Sequence, residues 1–350
     1  MTPTMQIAGR EISPESPVYV IAEISANHNQ QYVRAAELVR AAADAGADAV
    51  KLQTYTADTL TIDSDRPEFR IGKGTIWQGQ TLHELYSKAY TPWEWQPRLK
   101  DLADELGITL FSTPFDASAV EFLERMNVPA HKIASFELVD DGLLEKVAAT
   151  GKPVILSTGM ASLDEIGRAV ATLRRAGCPQ LALLKCTSAY PAPPEEMNLR
   201  TIPDLAERFG VVAGLSDHSL GIAAAVAAVA LGARIIEKHF TLRRADGGPD
   251  AAFSIEPDEL AAMIEAVRTA DQALGRVSYE LTAAEKASRV FRRSLFVVKD
   301  VQAGEELTRE NVRSIRPGQG LPPGELPKVL GHRAARDLPR GTPLRKQDLE

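Results

Sequence analysis

Eight short apolar runs recur along the first 275 or so residues, each closing on polar side chains and each followed by a segment with helical apolar spacing. Strands buried under covering helices have this texture. The runs span residues 18–27, 47–54, 108–116, 131–135, 153–160, 181–188, 210–218 and 233–240. Between them lie stretches such as AAELVRAAADAGA and LLEKVAATGK, in which a Gly marks the helix stop before the next strand. Eight βα units match a (β/α)8 TIM barrel more simply than an open doubly wound sheet, and the GxGxxG fingerprint of a dinucleotide fold is absent.

A barrel of this kind gathers its reactive groups at the C-terminal strand ends. Those ends here carry Glu23, Asn27, Lys51, Gln53, Ser112, Thr113, Ser135, Glu137, Ser157, Ser188, Ser216, His218 and His239. One insertion, about residues 58–95, breaks the regular spacing and holds all three tryptophans, Trp77, Trp93 and Trp95, with Tyr86 and Tyr90. Connections of that length are often functional lids; packing of the aromatics on the barrel rim is the equal alternative.

Beyond Gly275 the texture changes. A polar bridge at 276–290 leads into a module at 291–350 built of short strands with Gly and Pro turns, read as a small β-rich domain. Within it VQAGEELTRENV and LPRGTPLRKQDL echo one another, as two turns made on one plan.

Composition narrows the function classes. The chain has 350 residues, 44% of them hydrophobic and 25% charged, an ordinary globular balance. A net charge of −7 argues against a general binder of nucleic acid or anionic membrane, so any anionic ligand must meet a local basic site. Two cysteines, Cys178 and Cys186, make no disulfide framework and no CxxC pair, and neither an export signal nor a membrane-spanning segment is read. The expected compartment is the cytoplasm.

His218 in LSDHSLG and His239 in IEKHFTL close successive strands and are expected side by side at one mouth, where two imidazoles can hold a divalent cation. With no third His or Cys placed beside them, zinc is not favoured. Glu23 ends the first strand across the closing seam from the eighth, so closure should bring it near His239 as a carboxylate able to orient or deprotonate water. Asp250 sits on a Gly-rich loop that could fold over the same mouth or be a plain turn residue. Lys51 and Lys132, with the hydroxyls of Ser135, Ser157, Ser188 and Ser216, resemble a cradle for phosphate or carboxylate, and no P-loop is present.

The segments AEISANHN, KLQT, FSTPFD, KIAS, STGM, CTSAYPAP, GLSDHSLG, EKHFTL and GGPD, in this order and followed by a module bearing RPG, resemble the sialic acid synthase family with its C-terminal antifreeze-like (SAF) domain. The likeness covers nearly the whole chain, and TIWQGQTLHELYSKAYTPWEW resembles the pseudaminic acid synthase branch rather than the N-acetylneuraminate branch. The resemblance implies a condensation of phosphoenolpyruvate with an amino sugar, here 2,4-diacetamido-2,4,6-trideoxy-altrose, that releases phosphate and needs Mn2+ or Mg2+. It implies that His218 and His239 are metal ligands and that Glu23 lies near the metal and the reacting carbon. Lys51, Lys132, Ser135, Ser157, Ser188 and Ser216 match positions holding phosphoenolpyruvate, and Gln53, Glu137, Tyr190 and Asp250 match positions facing the sugar. Ser188 departs from the Asn common in N-acetylneuraminate synthases. Arg316 in SIRPGQG matches an Arg that reaches a partner's site in a domain-swapped homodimer.

The rivals with the same chemistry are N-acetylneuraminate and legionaminate synthases, which differ in the sugar. A rival of another class is a carbohydrate-binding barrel without catalysis, against which Glu23, His218 and His239 together argue.

Overall fold

The computed structural model describes residues 3–72, 74, 75 and 77–350. An N-terminal hairpin, β1 (Met5–Ile7) and β2 (Arg10–Ile12), precedes the barrel strands. These are β3 (Tyr19–Glu23), β4 (Ala49–Thr54), β5 (Thr109–Pro114), β6 (His131–Ile133), β7 (Val154–Ser157), β8 (Leu181–Cys186), β9 (Val212–Asp217) and β10 (Ile235–His239). All run parallel and close as β10-β3-β4-β5-β6-β7-β8-β9, the expected (β/α)8 barrel.

Each expected run contains its strand, but several overshoot. The first ends at Glu23 because its carboxylate accepts the N–H of Ser25 at 2.7 Å, and Ser25 turns with φ +39° into a 3-10 segment, Ser25–His28. Asn27, expected at the mouth, instead donates to Phe240 O and Ser254 Oγ, both at 2.9 Å, and so ties that turn to the loop after β10.

Side chains alternate along a strand, so each strand sends every second residue inside. Inner positions near the N-terminal ends are apolar: Tyr19, Ile21, Ala49, Phe111, Ile155, Ala182, Leu184, Val212 and Ile235 form one cluster. Met5, Ile7 and Ile12 of the hairpin join it and plug the barrel floor, each burying its side chain for about 1.5–3 kcal/mol. The hairpin was not read from the sequence. Its two three-residue strands carry too little alternation to stand out, and their partner is the inside of the barrel. Outward residues, among them Val20, Val50, Leu156, Ala213, Leu215 and Ile236, pack under the helices with Leu38, Val147, Leu173, Val229 and Leu260.

The 58–95 insertion is itself structured, with helices Ala57–Leu60 and Leu82–Ala89 and 3-10 turns Pro67–Phe69 and Trp93–Trp95. Thr81 caps the longer helix in a reciprocal box with Glu84.

Contacts divide the chain into Met1–Gly275 and Arg276–Glu350. In the second unit a short helix, Ala283–Ser288, falls within 276–290, and β11 (Ser294–Val297) pairs antiparallel with β12 (Val312–Ile315). The two echoing segments pair with each other: Val301 and Leu338 exchange backbone hydrogen bonds of 3.1 and 2.8 Å, and Leu307 and Leu344 are both fully buried. The echo is thus one turn design used twice around one small core.

Gly214 lies on β9 in register with Ile235 of β10. A Cβ there would stand 2.3 Å from Ile235 O and 2.7 Å from Leu184 Cδ2, so this inner position admits no side chain without movement of backbone. Gly214→Ala is expected to cost about 1–3 kcal/mol by overpacking. A urea or thermal unfolding midpoint equal to wild type would contradict that account of the barrel interior.

Candidate active site

Above the apolar inner cluster the same alternation brings polar residues inward. Ile21 is followed by Glu23, Ala49 by Lys51 and Gln53, Phe111 by Thr113, Ile155 by Ser157, and Ile235 by Glu237 and His239. Strand register sets Glu23 directly beside Lys51 on one side and His239 on the other, the seam closure anticipated from the sequence. Lys51 forms an ion pair with Glu23, lies 3.8 Å from Glu237 Oε1, and donates to Thr113 Oγ1 at 3.1 Å. Lys132 donates to Ser157 Oγ at 2.7 Å and to Ile133 O at 2.8 Å. Ser216 donates to Glu237 Oε1 at 3.1 Å.

These groups are nearly dry, and that sets their protonation. Burial pushes the Glu23 carboxyl up to about 7 although Lys51 pulls it down, and the charge of Glu237 adds to the rise. Burial works against a charged Lys51, but the carboxylates of Glu23 and Glu237 outweigh it and hold its pKa above the usual lysine value. Lys132 is shifted down, chiefly by burial. Glu237 is held below the usual carboxylate range because Lys132 and Lys51 overcome its desolvation.

The imidazoles of His218 and His239 stand side by side, with ring centroids 5.3 Å apart. Nδ1 of His218 faces Thr187 O at 3.0 Å, so a proton donated there leaves Nε2 as the free lone pair. His239 is buried, and its Nδ1 has no hydrogen-bond partner among the described residues; neither has Oε2 of Glu237. Two imidazoles with free nitrogens beside carboxylate oxygens suit a divalent cation. Among the described residues no three His, Cys, Asp or Glu form a ready-made cage, so a cation held here would need oxygen ligands from water or substrate.

Tyr190 stacks on His218 at 4.3 Å and meets Phe253 at 5.0 Å, forming an aromatic wall. Of the two alternatives left open for Asp250, its contacts favour the mouth: it pairs with Ser25 Oγ and takes the N–H of Ala26 at 3.3 Å, just beyond Glu23. Ser135 Oγ accepts the N–H of Gly159 at 3.0 Å, and Ser188 Oγ is 3.9 Å from Cys186 Sγ. A Cβ on Gly159 would stand 2.8 and 2.3 Å from these hydroxyls, so a side chain there would displace both. Gln53 sits one inner step beyond Lys51 in register with Thr113, and Glu137 lies in the 3-10 turn Ser135–Val139. Arg316 belongs to the second unit, immediately after β12.

With this arrangement in place, the chain can be set beside known proteins. Residues 38–279 match the model of the NeuB family, and residues 292–350 match that of the SAF domain. The chain belongs to the NeuB family. It is 44% identical over 98% of its length to a pseudaminic acid synthase of Campylobacter jejuni, covering 99% of that protein. It is 36% identical over 95% of its length to an N,N'-diacetyllegionaminic acid synthase of Legionella pneumophila, covering 94% of that protein. The solved N-acetylneuraminic acid synthetase of Leptospira borgpetersenii superposes with TM-score 0.73 at 32% identity, over 82% of this chain and 95% of that one.

Three features of this NeuB-family site were not read from the sequence. Glu237 shares the inner face with His239 because the two are separated by one residue on a strand, a period-two signal present in IEKHF. Cys186, set aside for want of a CxxC partner, has its Sγ 3.8 Å from Nδ1 of His218, so a cysteine does stand beside the histidine pair. Burial would raise this thiol, but His218, Ser135 and Lys132 bring it down to about 7.

The third concerns the tryptophans, of which Trp77 alone joins the wall. It stacks toward Tyr190 at 5.8 Å and donates from Nε1 to Pro249 O at 2.9 Å, next to Asp250. Trp93 packs on Phe122 and donates to Tyr55 O, while Trp95 packs on His28 and Tyr32, so both anchor the insertion to the barrel.

Glu137 is pushed up to about 7 by burial, with its Oε2 lacking a hydrogen-bond partner among the described residues. An acid raised on folding binds its proton more tightly in the native state, so it costs stability as pH rises from the unfolded carboxyl value near 4.5 through about 7. Glu137→Gln should therefore melt higher than wild type at pH 8 and gain little at pH 4.5 or below. A melting difference that does not change across that window would contradict a desolvated carboxyl.

Proposed function

We propose that this chain condenses phosphoenolpyruvate, 2,4-diacetamido-2,4,6-trideoxy-altrose and water into pseudaminic acid and inorganic phosphate. The observation that carries the reading is 44% identity to the C. jejuni pseudaminic acid synthase across 98% of the chain. It is supported by identity that falls to 36% for the legionaminic acid synthase, and by Trp77 of the insertion lying in the wall beside the histidine pair.

The new carbon–carbon bond joins C3 of phosphoenolpyruvate to the aldehyde carbon of the open-chain sugar. Water supplies the oxygen at C2, and the phosphate leaves. Lys51 and Lys132 neutralise the phosphate and carboxylate at a depth where charge is weakly screened. The hydroxyls of Ser135, Ser157, Ser188 and Ser216 orient the same groups. Glu23, in register beside His239, is placed to accept the proton of the attacking water.

His218 and His239 would hold a divalent cation, Mn2+ or Mg2+, which supplies Lewis-acid stabilisation of charge developing on the sugar carbonyl oxygen. Gln53, Glu137, Tyr190 and Asp250 bind the sugar, and Trp77 with Tyr190 and Phe253 gives apolar contact to its deoxy and acetamido groups. In the same reading the protein acts in the cytoplasm as a domain-swapped homodimer, with Arg316 completing the partner's site. No described helix is long and apolar enough to cross a membrane.

Incubation with phosphoenolpyruvate, Mn2+ and each of the three candidate sugars, followed by mass spectrometry and NMR of the product, tests the assignment. Turnover should be confined largely to the altrose derivative; preference for another sugar would reassign the branch. Phosphate release should stop in chelator and return with Mn2+, and His218→Ala or His239→Ala should lower kcat by about a hundredfold or more. Full activity in chelator would remove the metal from the scheme. Trp77→Ala should raise the KM for sugar and leave that for phosphoenolpyruvate near wild type, whereas Trp95→Ala should chiefly lower the melting temperature.

A further inference from the structure

Two charged residues alternate with the imidazoles and take no part in the chemistry above. Asp217 precedes His218 and Lys238 precedes His239, and neighbours along a strand face opposite ways, so both side chains leave the barrel interior. They enter the layer that Leu215 and Ile236 form beneath the helices. Register sets Asp217 directly opposite Lys238. Their charged groups are 2.7 Å apart and both side chains are 0% exposed.

The bonds of this pair converge on the backbone around His218. Lys238 Nζ donates to Asp217 Oδ2 and also to Ser219 O, each at 2.7 Å. Asp217 Oδ1 takes the N–H of Ser219 at 2.8 Å and its Oγ–H at 2.7 Å. One ammonium on the strand of His239 thus grips the chain on either side of His218, where β9 has already ended at Asp217 and ladder bonding no longer fixes the backbone. For cohesion alone, apolar side chains of similar volume would hold two strands as well as a buried ion pair, or better. What the pair adds is direction, since its four bonds fix where residue 218 sits relative to residue 239.

We infer that Asp217 and Lys238 are positioning residues that set the spacing of the His218 and His239 imidazoles and thereby the affinity for a divalent cation. The inference rests on the metal reading proposed above. The Arg234–Asp271 ion pair lacks this link: at 2.5 Å it joins the residue before β10 to the helix Pro257–Leu274, at the opposite end of the strand from His239.

The test is a titration of the purified full-length chain with Mn2+ alone, read by the electron paramagnetic resonance signal of free Mn2+, with melting temperatures recorded in parallel. Asp217→Asn and Lys238→Met should each weaken Mn2+ binding about tenfold, as loss of a supporting shell does at metal sites. Asp271→Asn should lower the melting temperature and keep wild-type Mn2+ affinity. Ser219→Ala, which removes one bond of the clamp and leaves both charges, should weaken binding less, and it carries the test if the charge variants do not fold. Wild-type Mn2+ affinity in the folded clamp variants, or an equal loss in Asp271→Asn, overturns the inference while the metal reading stands. A wild-type chain that binds no Mn2+ overturns the metal reading and the clamp with it.

Discussion

Four charged side chains, Glu23, Lys51, Lys132 and Glu237, are buried together on the inner face of the barrel at its C-terminal end. None could be carried there alone, because an isolated ion at that depth costs several kcal/mol. They are tolerable as a set: Lys51 lies between two carboxylates, and Lys132 offsets Glu237 while bonded to Ser157. The set exists only when the barrel closes in register, since its members come from β3, β4, β6 and β10.

The same closure couples floor and mouth. Hairpin residues Met5, Ile7 and Ile12 fill the interior from below and keep water from the apolar cluster. The charged layer therefore stands on a dry base with its open side toward ligand. In the proposed function an incoming phosphate and carboxylate would meet cations that are already oriented, so little reorganisation would accompany binding. On the rim, Trp77, Tyr190 and Phe253 pack into an apolar wall, which in the proposed function would meet a deoxy sugar with few hydroxyls to offer. In that proposal specificity and chemistry occupy different heights of one barrel mouth.

Much of this was legible in the chain. The eight runs, the closure bringing Glu23 to His239, and the adjacency of His218 and His239 all follow from strand order in a barrel, whereas Asp250, open between mouth and turn in the sequence, was placed only by its tertiary contact with Ser25. What escaped notice did so for distinct reasons. The hairpin strands are too short to show a period. Trp93 and Trp95 are close to Trp77 in sequence, but their rings seat on Phe122, His28 and Tyr32. Cys186 has no sequence partner, and its neighbour His218 comes from the next strand.

The order of apolar and polar residues along each strand was enough to specify a barrel and which end of it is reactive, because alternation and strand direction are local properties of the chain. Which of Lys51's neighbours share its charge, which tryptophan reaches the mouth, and that Asp217 and Lys238 meet on the outer face were decided only by tertiary structure. Those outcomes depend on contacts between segments far apart in sequence, and their energies depend on the exclusion of water, which no single strand achieves.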